Sequence, residues 1–333
     1  IKSVTMKRIA INGFGRIGRL AMRKLLERKD VEVVAINDLT DNKTLAHLFK
    51  YDSAHGVFCK EVSYTDTHIT IDGKEILASA IKDPLQLPWK ELNVDIVLEC
   101  TGVFRSKEKL EWHLEAGAKK VLLSAPAKGS DVKTVVLGVN DGDISPDDNI
   151  LSNASCTTNC LAPLVKVIND NWGFVQAAMT TTHAYTQDQN LQDAPHSDLR
   201  RARAAAFSII PTSTGAANAV GLVIPEVKGK FSAIALRVPT ITGSLVELNC
   251  IIEKDCTAEE VNAAFKAASE GPMKGILQYT EDPIVSADIV SNPYSSVFDA
   301  KLTAVNGKMM KVLSWYDNEM GYASRLVDLI DKV

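Results

Sequence analysis

The chain has 333 residues, which is enough for two domains because a single hydrophobic core rarely grows beyond about 250 to 300 residues. Its 37 Lys and Arg residues against 41 Asp and Glu residues give a formal net charge of −4, which excludes a strongly basic nucleic-acid-binding protein. Hydrophobic residues make up 46% of the chain without a run of about 18 apolar residues, so no membrane span is predicted.

Six cysteines stand at positions 59, 100, 156, 160, 250 and 256, and none of them forms a CxxC pair. A chain of this size needs no disulfides, and no Cys or His pair has zinc-finger spacing, so no metal site is predicted. The first residues lack the apolar core of a signal peptide, and a cytoplasmic protein is expected. Met6 is a candidate natural start, which would make residues 1–5 an addition.

The first half of the chain alternates short apolar strands with helices. A strand at residues 7–11, a glycine-rich turn, an amphipathic helix ending near Arg28 and a strand at 31–36 predict a βαβ unit. This alternation predicts a doubly wound (Rossmann) parallel sheet over roughly the first 150 residues. Further strands are predicted at 69–71, 95–99, 120–123 and 134–138, and helices at 43–50 and 106–116.

After Pro163 the pattern changes to longer alternating strands, which predict an α+β domain with a mainly antiparallel or mixed sheet. Strands are predicted at 175–182, 231–238 and 244–252, and helices at 214–223, 258–268 and 320–332. The fold class is therefore α/β, with a Rossmann domain followed by a catalytic domain.

The turn after the first strand reads G-x-G-x-x-G, with Asp38 standing 20 residues beyond its last glycine. Gly13 allows the tight turn, Gly15 lets the backbone approach a pyrophosphate, and Gly18 lets helix and strand pack closely. Asp38 can accept hydrogen bonds from an adenosine ribose and would repel a 2′-phosphate. The pattern predicts dinucleotide binding, with NAD favoured over NADP.

The stretch SNASCTTNCLAP at residues 152–163 precedes a helical stripe of Leu161, Leu164, Val165 and Ile168. If the helix begins near Ser155, Cys156 lies at its positive end, where a thiol has a lowered pKa. Pro163 favours the alternative that the helix begins at Asn159 and leaves Cys156 in a loop. Cys160 is expected to be a small buried hydrophobe.

A nucleophilic thiol needs a base, and His183 at the end of a predicted strand is the leading candidate. Hydroxyls and a glycine at 212–218 before a helix are compatible with an anion site, although a helix cap is the favoured explanation when they are taken alone. Arg237 and a cluster of Arg200, Arg201 and Arg203 could bind a phosphorylated substrate, although each is individually typical of a surface charge.

These motifs together resemble phosphorylating glyceraldehyde-3-phosphate dehydrogenase over essentially the whole chain, in the order INGFGRIGR, SNASCTTNCLAP, TTTHAYT, IIPTSTGAA, LRVPT and SWYDNEMGY. The resemblance implies Cys156 as the nucleophile that attacks an aldehyde and His183 as its base. It implies NAD contacts at Arg16, Ile17, Asp38, Lys82, Ser124 and Asn318. It implies phosphate contacts at Ser155, Thr157, Thr186, Arg201, Thr214, Gly215 and Arg237.

The resemblance also implies the reaction and the organisation of the protein. Glyceraldehyde 3-phosphate and inorganic phosphate would be the substrates, 1,3-bisphosphoglycerate the product through a Cys156 thioester, and glycolysis or gluconeogenesis the setting. A homotetramer is implied, with residues 1–155 and 319–333 forming the NAD-binding domain and 156–318 the catalytic domain. Ala194 stands where NAD-specific members often carry leucine, which leaves some NADP use open.

Two other functions compete with this interpretation. A related enzyme could act on another sugar phosphate such as erythrose 4-phosphate, since the chain length of the sugar cannot be read from these residues. A non-catalytic NAD-binding redox sensor could use Cys156 as an oxidisable thiol, but it would need neither His183 nor the phosphate-binding residues.

Overall fold

The computed structural model describes residues 6–333, so the origin of residues 1–5 lies outside the described residues. The chain divides into two compact units. Among the described residues, the first contains residues 6–135 together with Asp143–Ala154 and Ala323–Val333, and the second contains Val136–Gly142 and Ser155–Tyr322. Within residues 6–333, none of the helices has the length and apolar character needed to cross a bilayer.

The first unit is built on a nine-stranded sheet in the order β3-β4-β5-β2-β1-β6-β7-β9-β8. The seven strands from β5 to β8 in this order are parallel, as predicted, and only β4 pairs antiparallel with its neighbours. The bounds are β1 (Lys7–Asn12), α1 (Arg16–Leu25), β2 (Val31–Asn37), α2 (Asn42–Lys50), β3 (Val62–Tyr64), β4 (His68–Ile71), β5 (Lys74–Ser79), β6 (Ile96–Glu99), α3 (Lys107–Glu115), β7 (Lys120–Leu123), β8 (Lys133–Thr134) and β9 (Ile150–Ser152).

The central strands β1, β6 and β7 read as continuous apolar runs because helices cover both faces of a parallel sheet. Ile9, Ile11, Val97 and Val121 are fully buried. Strands β3 and β5, towards one side of the sheet, lack such runs, which is why the sequence did not reveal them.

The strand predicted at 134–138 was wrong beyond its first residue, because side-chain contacts form a turn there. The Val136 N–H donates to Asn140 Oδ1 at 2.8 Å, and the Gly138 N–H donates to Asp141 Oδ1 at 2.8 Å. Gly138 has a φ of +80°, which a strand does not use.

The second unit contains an eight-stranded mixed sheet in the order β11-β12-β10-β13-β17-β15-β14, with β16 paired to β17. β10 runs parallel to β12 and antiparallel to β13, which agrees with the predicted sheet type. The bounds are α4 (Cys156–Trp172), β10 (Phe174–Ala184), β11 (Ile210–Thr212), α5 (Ala216–Val223), β12 (Phe231–Val238), β13 (Ser244–Ile252), α6 (Ala258–Glu270), β14 (Leu277–Thr280), β15 (Ser296–Asp299), β16 (Ala304–Asn306), β17 (Met309–Tyr316) and α7 (Met320–Asp328), which runs on into the first unit.

Helix α4 packs across β10, β13, β15 and β17 through the apolar stripe that the sequence predicted. Leu161, Leu164, Val165 and Ile168 are all fully buried. The helix is therefore anchored along its length, and its first residues are held at a defined place beside the sheet. Six short 3₁₀ turns lie at Pro84–Gln86, Asp141–Asp143, Pro225–Val227, Ser286–Ile289, Ala300–Leu302 and Leu329–Lys332.

Candidate active site

The glycine-rich turn between β1 and α1 is tightly packed against backbone atoms at Gly13 and Gly18, and has free space beside Gly15, where the helix begins. Gly13 has a φ of +92°, and a Cβ there would lie 2.6 Å from the Thr101 nitrogen. A Cβ at Gly18 would lie 2.1 Å from the Gly13 oxygen. A Cβ at Gly15 meets nothing within 4 Å, and Gly15 brings no capping side chain to α1. This open helix end fits the pyrophosphate of a dinucleotide.

Asp38 follows the carboxyl end of β2 and orders the same turn. Its Oδ2 accepts the Phe14 N–H at 2.8 Å, and its Oδ1 accepts the Thr40 N–H at 3.0 Å. A carboxylate has further lone pairs for ribose hydroxyls, and its charge opposes a 2′-phosphate. The residues of this edge therefore fit NAD.

Arg16 begins α1, but its guanidinium is directed to Asp52. Nη1 and Nη2 donate to the two Asp52 oxygens at 2.6 and 3.2 Å. Burial works to raise the pKa of Asp52, but the Arg16 and backbone hydrogen bonds outweigh it and lower the pKa to about 2. The Arg16 guanidinium is therefore paired with Asp52, while the Arg16 backbone lies in the first turn of α1.

The other predicted cofactor residues lie in different surroundings. Ile17 lies in the first turn of α1, Lys82 is exposed, and Ser124 is half-buried just beyond β7. Asn318 belongs to the second unit, where its Oδ1 accepts the Ser244 hydroxyl at 2.8 Å. This hydrogen bond fixes the orientation of the Asn318 amide.

Cys156 is the first residue of α4, so the structure supports the helix start near Ser155 and not the one at Asn159. Ser155 is the N-cap, and its Oγ accepts the Thr158 N–H at 3.1 Å. Ala154, just before the cap, has a φ of +55°, which is unusual for a residue with a Cβ. Pro163 lies inside α4 and costs one helical hydrogen bond without ending the helix.

His183, near the end of β10, lies beside the thiol, with its Nε2 3.5 Å from the Cys156 sulfur. Its Nδ1 is 2.6 Å from the Ala184 carbonyl oxygen, which can only accept, so we assign the ring proton to Nδ1. The Nε2 atom is then free of a proton and faces the thiol. Arg237 Nη1 lies 3.1 Å from the Nδ1 atom and donates to Thr186 Oγ1 at 2.7 Å.

Burial is the largest influence on both members of this pair. It raises the pKa of the Cys156 thiol, although the Arg237 charge and the hydrogen bonds at Thr157 work in the opposite direction. Burial first, and the Arg237 charge second, together lower the pKa of His183 to about 3. The lowered thiol pKa expected for a helix N-terminus is thus not found, because desolvation outweighs the helix end. His183 is an uncharged proton acceptor beside the thiol.

We expect an Arg237→Gln variant to raise the thiol pKa, because the guanidinium charge is the main influence that lowers it. Each unit of increase reduces the thiolate fraction near neutral pH about tenfold. Alkylation of Cys156 by uncharged iodoacetamide, measured against pH, should show a midpoint at higher pH. Arg203→Gln is the matched control, since Arg203 is exposed and bound to Asp193. An unchanged midpoint in Arg237→Gln would show that its charge does not reach the sulfur.

Tyr316 at the end of β17 is a site residue that the sequence did not single out. Its hydroxyl lies 2.9 Å from Thr157 Oγ1 and 2.8 Å from Thr181 Oγ1, and its ring packs edge-on against His183. It thereby connects α4, β10 and β17 around the thiol. Its presence in SWYDNEMGY was the available signal, but no spacing connects it to Cys156.

Asp188 is a second residue that the sequence did not single out, and it connects the predicted phosphate ligands. Thr186 Oγ1 donates to Asp188 Oδ1, and Arg201 Nη1 donates to its Oδ2 at 2.6 Å. Burial works to raise the pKa of Asp188, but the Thr186 hydrogen bond and the charges of Arg237 and Arg201 lower it. Cys156, His183, Thr186 and Arg237 thus form one cluster, and Arg201 joins it through Asp188.

Ser155 and Thr157 flank the thiol on α4, whereas Thr214 and Gly215 precede α5. Gly215 is the N-cap of α5, and Thr214 Oγ1 accepts the Ala216 N–H at 3.2 Å. Since α5 packs against α4, the two segments predicted to bind phosphate belong to neighbouring helices.

Cys160 lies one turn beyond Cys156 and is fully buried, as expected. Its sulfur is 3.5 Å from Ser296 Oγ, and burial raises the pKa of its thiol to about 12. Across residues 6–333 no group of three or more His, Cys, Asp or Glu side chains is arranged to hold a metal ion.

Comparison with known proteins gives a consistent result over the whole chain. The family model of the glyceraldehyde 3-phosphate dehydrogenase NAD binding domain matches residues 7–107, and that of the C-terminal domain matches residues 155–318. Glyceraldehyde-3-phosphate dehydrogenase of Thermotoga maritima is 60% identical over 329 residues, covering 98% of both chains. The enzymes of Mycolicibacterium smegmatis and Kitasatospora aureofaciens are 57% and 54% identical, covering 97% and 98% of both chains.

The Rossmann unit and its matching NAD-binding domain define the chain as an NAD-dependent oxidoreductase. The chain belongs to the glyceraldehyde-3-phosphate dehydrogenase family.

Proposed function

We propose that the protein oxidises and phosphorylates D-glyceraldehyde 3-phosphate to 1,3-bisphosphoglycerate in glycolysis or gluconeogenesis. The observation that supports this most directly is the 3.5 Å approach of His183 Nε2 to the Cys156 sulfur, next to Arg237. A thiol, a neutral base and a guanidinium in one cluster suit an aldehyde that carries a phosphate.

In the first half-reaction the Cys156 sulfur bonds to the aldehyde carbon as its S–H bond breaks, and the thiol proton passes to the carbonyl oxygen, which becomes the hydroxyl of a hemithioacetal. His183 Nε2 takes the proton as the carbonyl is re-formed and a thioester results. NAD, when bound, accepts the hydride that leaves this carbon. Arg237 and Thr186 would hold the substrate's own phosphate, and Arg201 would support them through Asp188.

In the second half-reaction an oxygen of inorganic phosphate attacks the thioester carbon. The carbon–sulfur bond breaks, the acyl phosphate leaves, and Cys156 recovers its sulfur as thiolate. Ser155, Thr157, Thr214 and Gly215 would hold the attacking phosphate, since hydroxyls and backbone N–H groups at two helix N-termini suit an anion.

We assign the cofactor contacts, apart from that of Asn318, to the edge of the Rossmann unit. Gly13, Gly15, Gly18 and the first-turn residues Arg16 and Ile17 would hold the pyrophosphate, and Asp38 the adenosine ribose. Lys82 and Ser124 would add contacts, and Asn318 would hold the nicotinamide amide. Asp38 favours NAD, while Ala194 leaves some NADP use open.

The proposal extends to the organisation of the protein. Residues 1–155 and 319–333 would act as the NAD-binding domain and 156–318 as the catalytic domain. The protein would form a homotetramer, and large apolar side chains on one exposed segment, where Leu191, Leu199 and Phe207 are 78%, 81% and 89% exposed, would suit an interface between its subunits. All six cysteines are free, which suits the reducing cytoplasm.

We expect NADH formation from glyceraldehyde 3-phosphate to depend on inorganic phosphate. Without phosphate the thioester accumulates, so NADH should rise by about one equivalent per site and then nearly stop. With phosphate, turnover should continue, as followed by NADH absorbance. Erythrose 4-phosphate in a parallel assay should be the slower substrate. Equal sustained rates with and without phosphate would contradict the second half-reaction.

A further inference from the structure

The carboxyl ends of four neighbouring parallel strands in the first unit carry a row of polar side chains. Ser79, Asn37, Asn12 and Glu99 end β5, β2, β1 and β6, and the register pairs each with its neighbour. Asn37, Asn12 and Glu99 are buried. Ligands of open parallel sheets bind at this edge.

The side chains of this row, which we call the Glu99 row, are hydrogen-bonded in one direction. Ser79 Oγ donates to Asn37 Oδ1 at 2.8 Å, and Asn37 Nδ2 donates to Asn12 Oδ1 at 2.8 Å. Asn12 Nδ2 then donates to Glu99 Oε2 at 2.6 Å. The direction follows from its last member, because a carboxylate can only accept.

His113, which is oriented by Trp89, contacts the same carboxylate oxygen as Asn12. Trp89 Nε1 lies 3.0 Å from His113 Nδ1, and an indole nitrogen can only donate. His113 therefore accepts at Nδ1 and carries its proton on Nε2, which donates to Glu99 Oε2 at 3.0 Å. The imidazole in this arrangement is neutral.

The other oxygen of Glu99 binds Thr101, through its N–H at 2.8 Å and through its hydroxyl. The fully buried Glu99 carboxylate is thus held by four donors, all of them neutral. Such a group is costly to bury and depends on every one of these hydrogen bonds. A replacement that supplies a donor in place of an acceptor is therefore strongly disfavoured.

The Glu99 row is hydrogen-bonded to the residues on both sides of the place where the glycine turn packs most tightly, the contact between Gly13 and Thr101. Asn12 directly precedes Gly13, and Thr101 is the residue whose nitrogen would lie 2.6 Å from a Gly13 Cβ. One oxygen of Glu99 holds Asn12 and the other holds Thr101. Asn37, further along the row, directly precedes Asp38. The carboxylate therefore fixes both sides of the Gly13 contact and, through two amides, the strand end before Asp38.

We propose that Glu99 is a positioning residue for NAD, and that its carboxylate sets the spacing of the glycine turn through Asn12 and Thr101. This inference rests on the proposal that Gly13 and Asp38 hold the dinucleotide. Glu99 does not touch the cofactor in this role; it acts through the loop residues that follow the strand ends.

The test compares Glu99→Gln with Asp95→Asn in the full-length protein. Each variant removes one carboxylate next to β6. Glu99 lies at the carboxyl end of this strand, whereas Asp95 lies at the amino end, where it accepts hydrogen bonds from the Arg8 N–H and the Lys119 ammonium group. Glutamine presents an NH₂ group to donors, so NAD should bind at least about tenfold more weakly in Glu99→Gln. Binding is measured by calorimetric titration of NAD, and Cys156 alkylation checks that the second unit is intact.

A second substitution separates positioning from general loss of stability. When Asn12→Asp is combined with Glu99→Gln, the carboxylate introduced at position 12 accepts from the new amide and from Asn37, so part of the lost affinity should return. Wild-type affinity in Glu99→Gln, equal losses in Asp95→Asn, or a double variant no tighter than Glu99→Gln would each overturn the inference. Failure of the wild-type protein to bind NAD would instead reject the proposed cofactor site.

Ser79→Ala keeps the inference testable if Glu99→Gln does not fold. The Ile81 N–H still donates to Asn37 Oδ1 at 2.9 Å, so the strand end stays satisfied. Removing this outermost donor should weaken NAD binding by about two- to fivefold. Unchanged binding in a folded Ser79→Ala variant would overturn the inference.

Discussion

Replacing Cys156 with alanine is expected to abolish NADH formation while leaving NAD binding intact. The sulfur forms the covalent bond to the aldehyde carbon in the first half-reaction and leaves that carbon in the second, so its removal should lower kcat by on the order of 10⁴-fold or more. NAD affinity should not change, because the residues proposed to hold the pyrophosphate and ribose belong to the first unit. Steady-state NADH absorbance measures kcat, and calorimetric titration measures the affinity for NAD.

Cys160→Ala is the matched control for this variant. It removes a thiol from the same helix, but one that is fully buried and contacts Ser296. Its activity should stay near that of the unaltered enzyme, with only a modest loss of thermal stability from the small cavity. Retained turnover in Cys156→Ala, or its loss in Cys160→Ala, would reassign the nucleophile.

Replacing His183 with asparagine is expected to lower kcat by about 10²- to 10⁴-fold, the usual contribution of a general base. The His183 Nε2 atom lies 3.5 Å from the Cys156 sulfur and is proposed to accept the proton. Asparagine has no basic nitrogen to replace it. Binding of the aldehyde should change less, because Arg237 and Thr186 remain. Single-turnover formation of NADH isolates this step from phosphorolysis.

His68→Asn serves as the control for His183, because His68 lies in the first unit and, within residues 6–333, its ring is hydrogen-bonded only to the neighbouring Thr67. Raising the pH should partly restore the rate of His183→Asn, since hydroxide and a more ionised thiol replace the missing base. A rate equal to that of the unaltered enzyme at neutral pH would remove His183 from the mechanism.

The cofactor turn could be predicted from the sequence because its determinants are local. Gly13, Gly15 and Gly18 stand within six residues, and Asp38 follows at an interval fixed by one helix and one strand. The family, the fold class and the NAD cofactor are confirmed by the matches to the two domains. The roles of individual site residues stay predictions.

The electrostatics of the thiol could not be predicted, because burial depends on the whole second unit. A helix N-terminus alone indicates a lowered thiol pKa, yet the surroundings of Cys156 raise it. Tyr316 was missed for a related reason. Its hydroxyl meets Thr157 across 159 positions of sequence, through strand pairings that no short motif contains.

The Glu99 row was missed because its members look ordinary one at a time. Asn12, Asn37 and Ser79 each end a short strand, where polar residues are common. Only the parallel register places them side by side, and register between strands separated by helices cannot be read from one sequence.

The return of the chain to the first unit at Ala323 has a consequence for synthesis. Lys7 donates to the carbonyls of Ile330 and Val333 at 2.8 and 2.6 Å, and Leu326, Leu329 and Ile330 are fully buried. A ribosome adding about 5–20 residues per second needs on the order of 10 to 30 s to make residues 155–322 first. Throughout that interval the nascent Rossmann unit exposes the apolar surface that Ala323–Val333 cover. Its completion must therefore await the synthesis of this segment, and a chaperone has its longest opportunity to bind there.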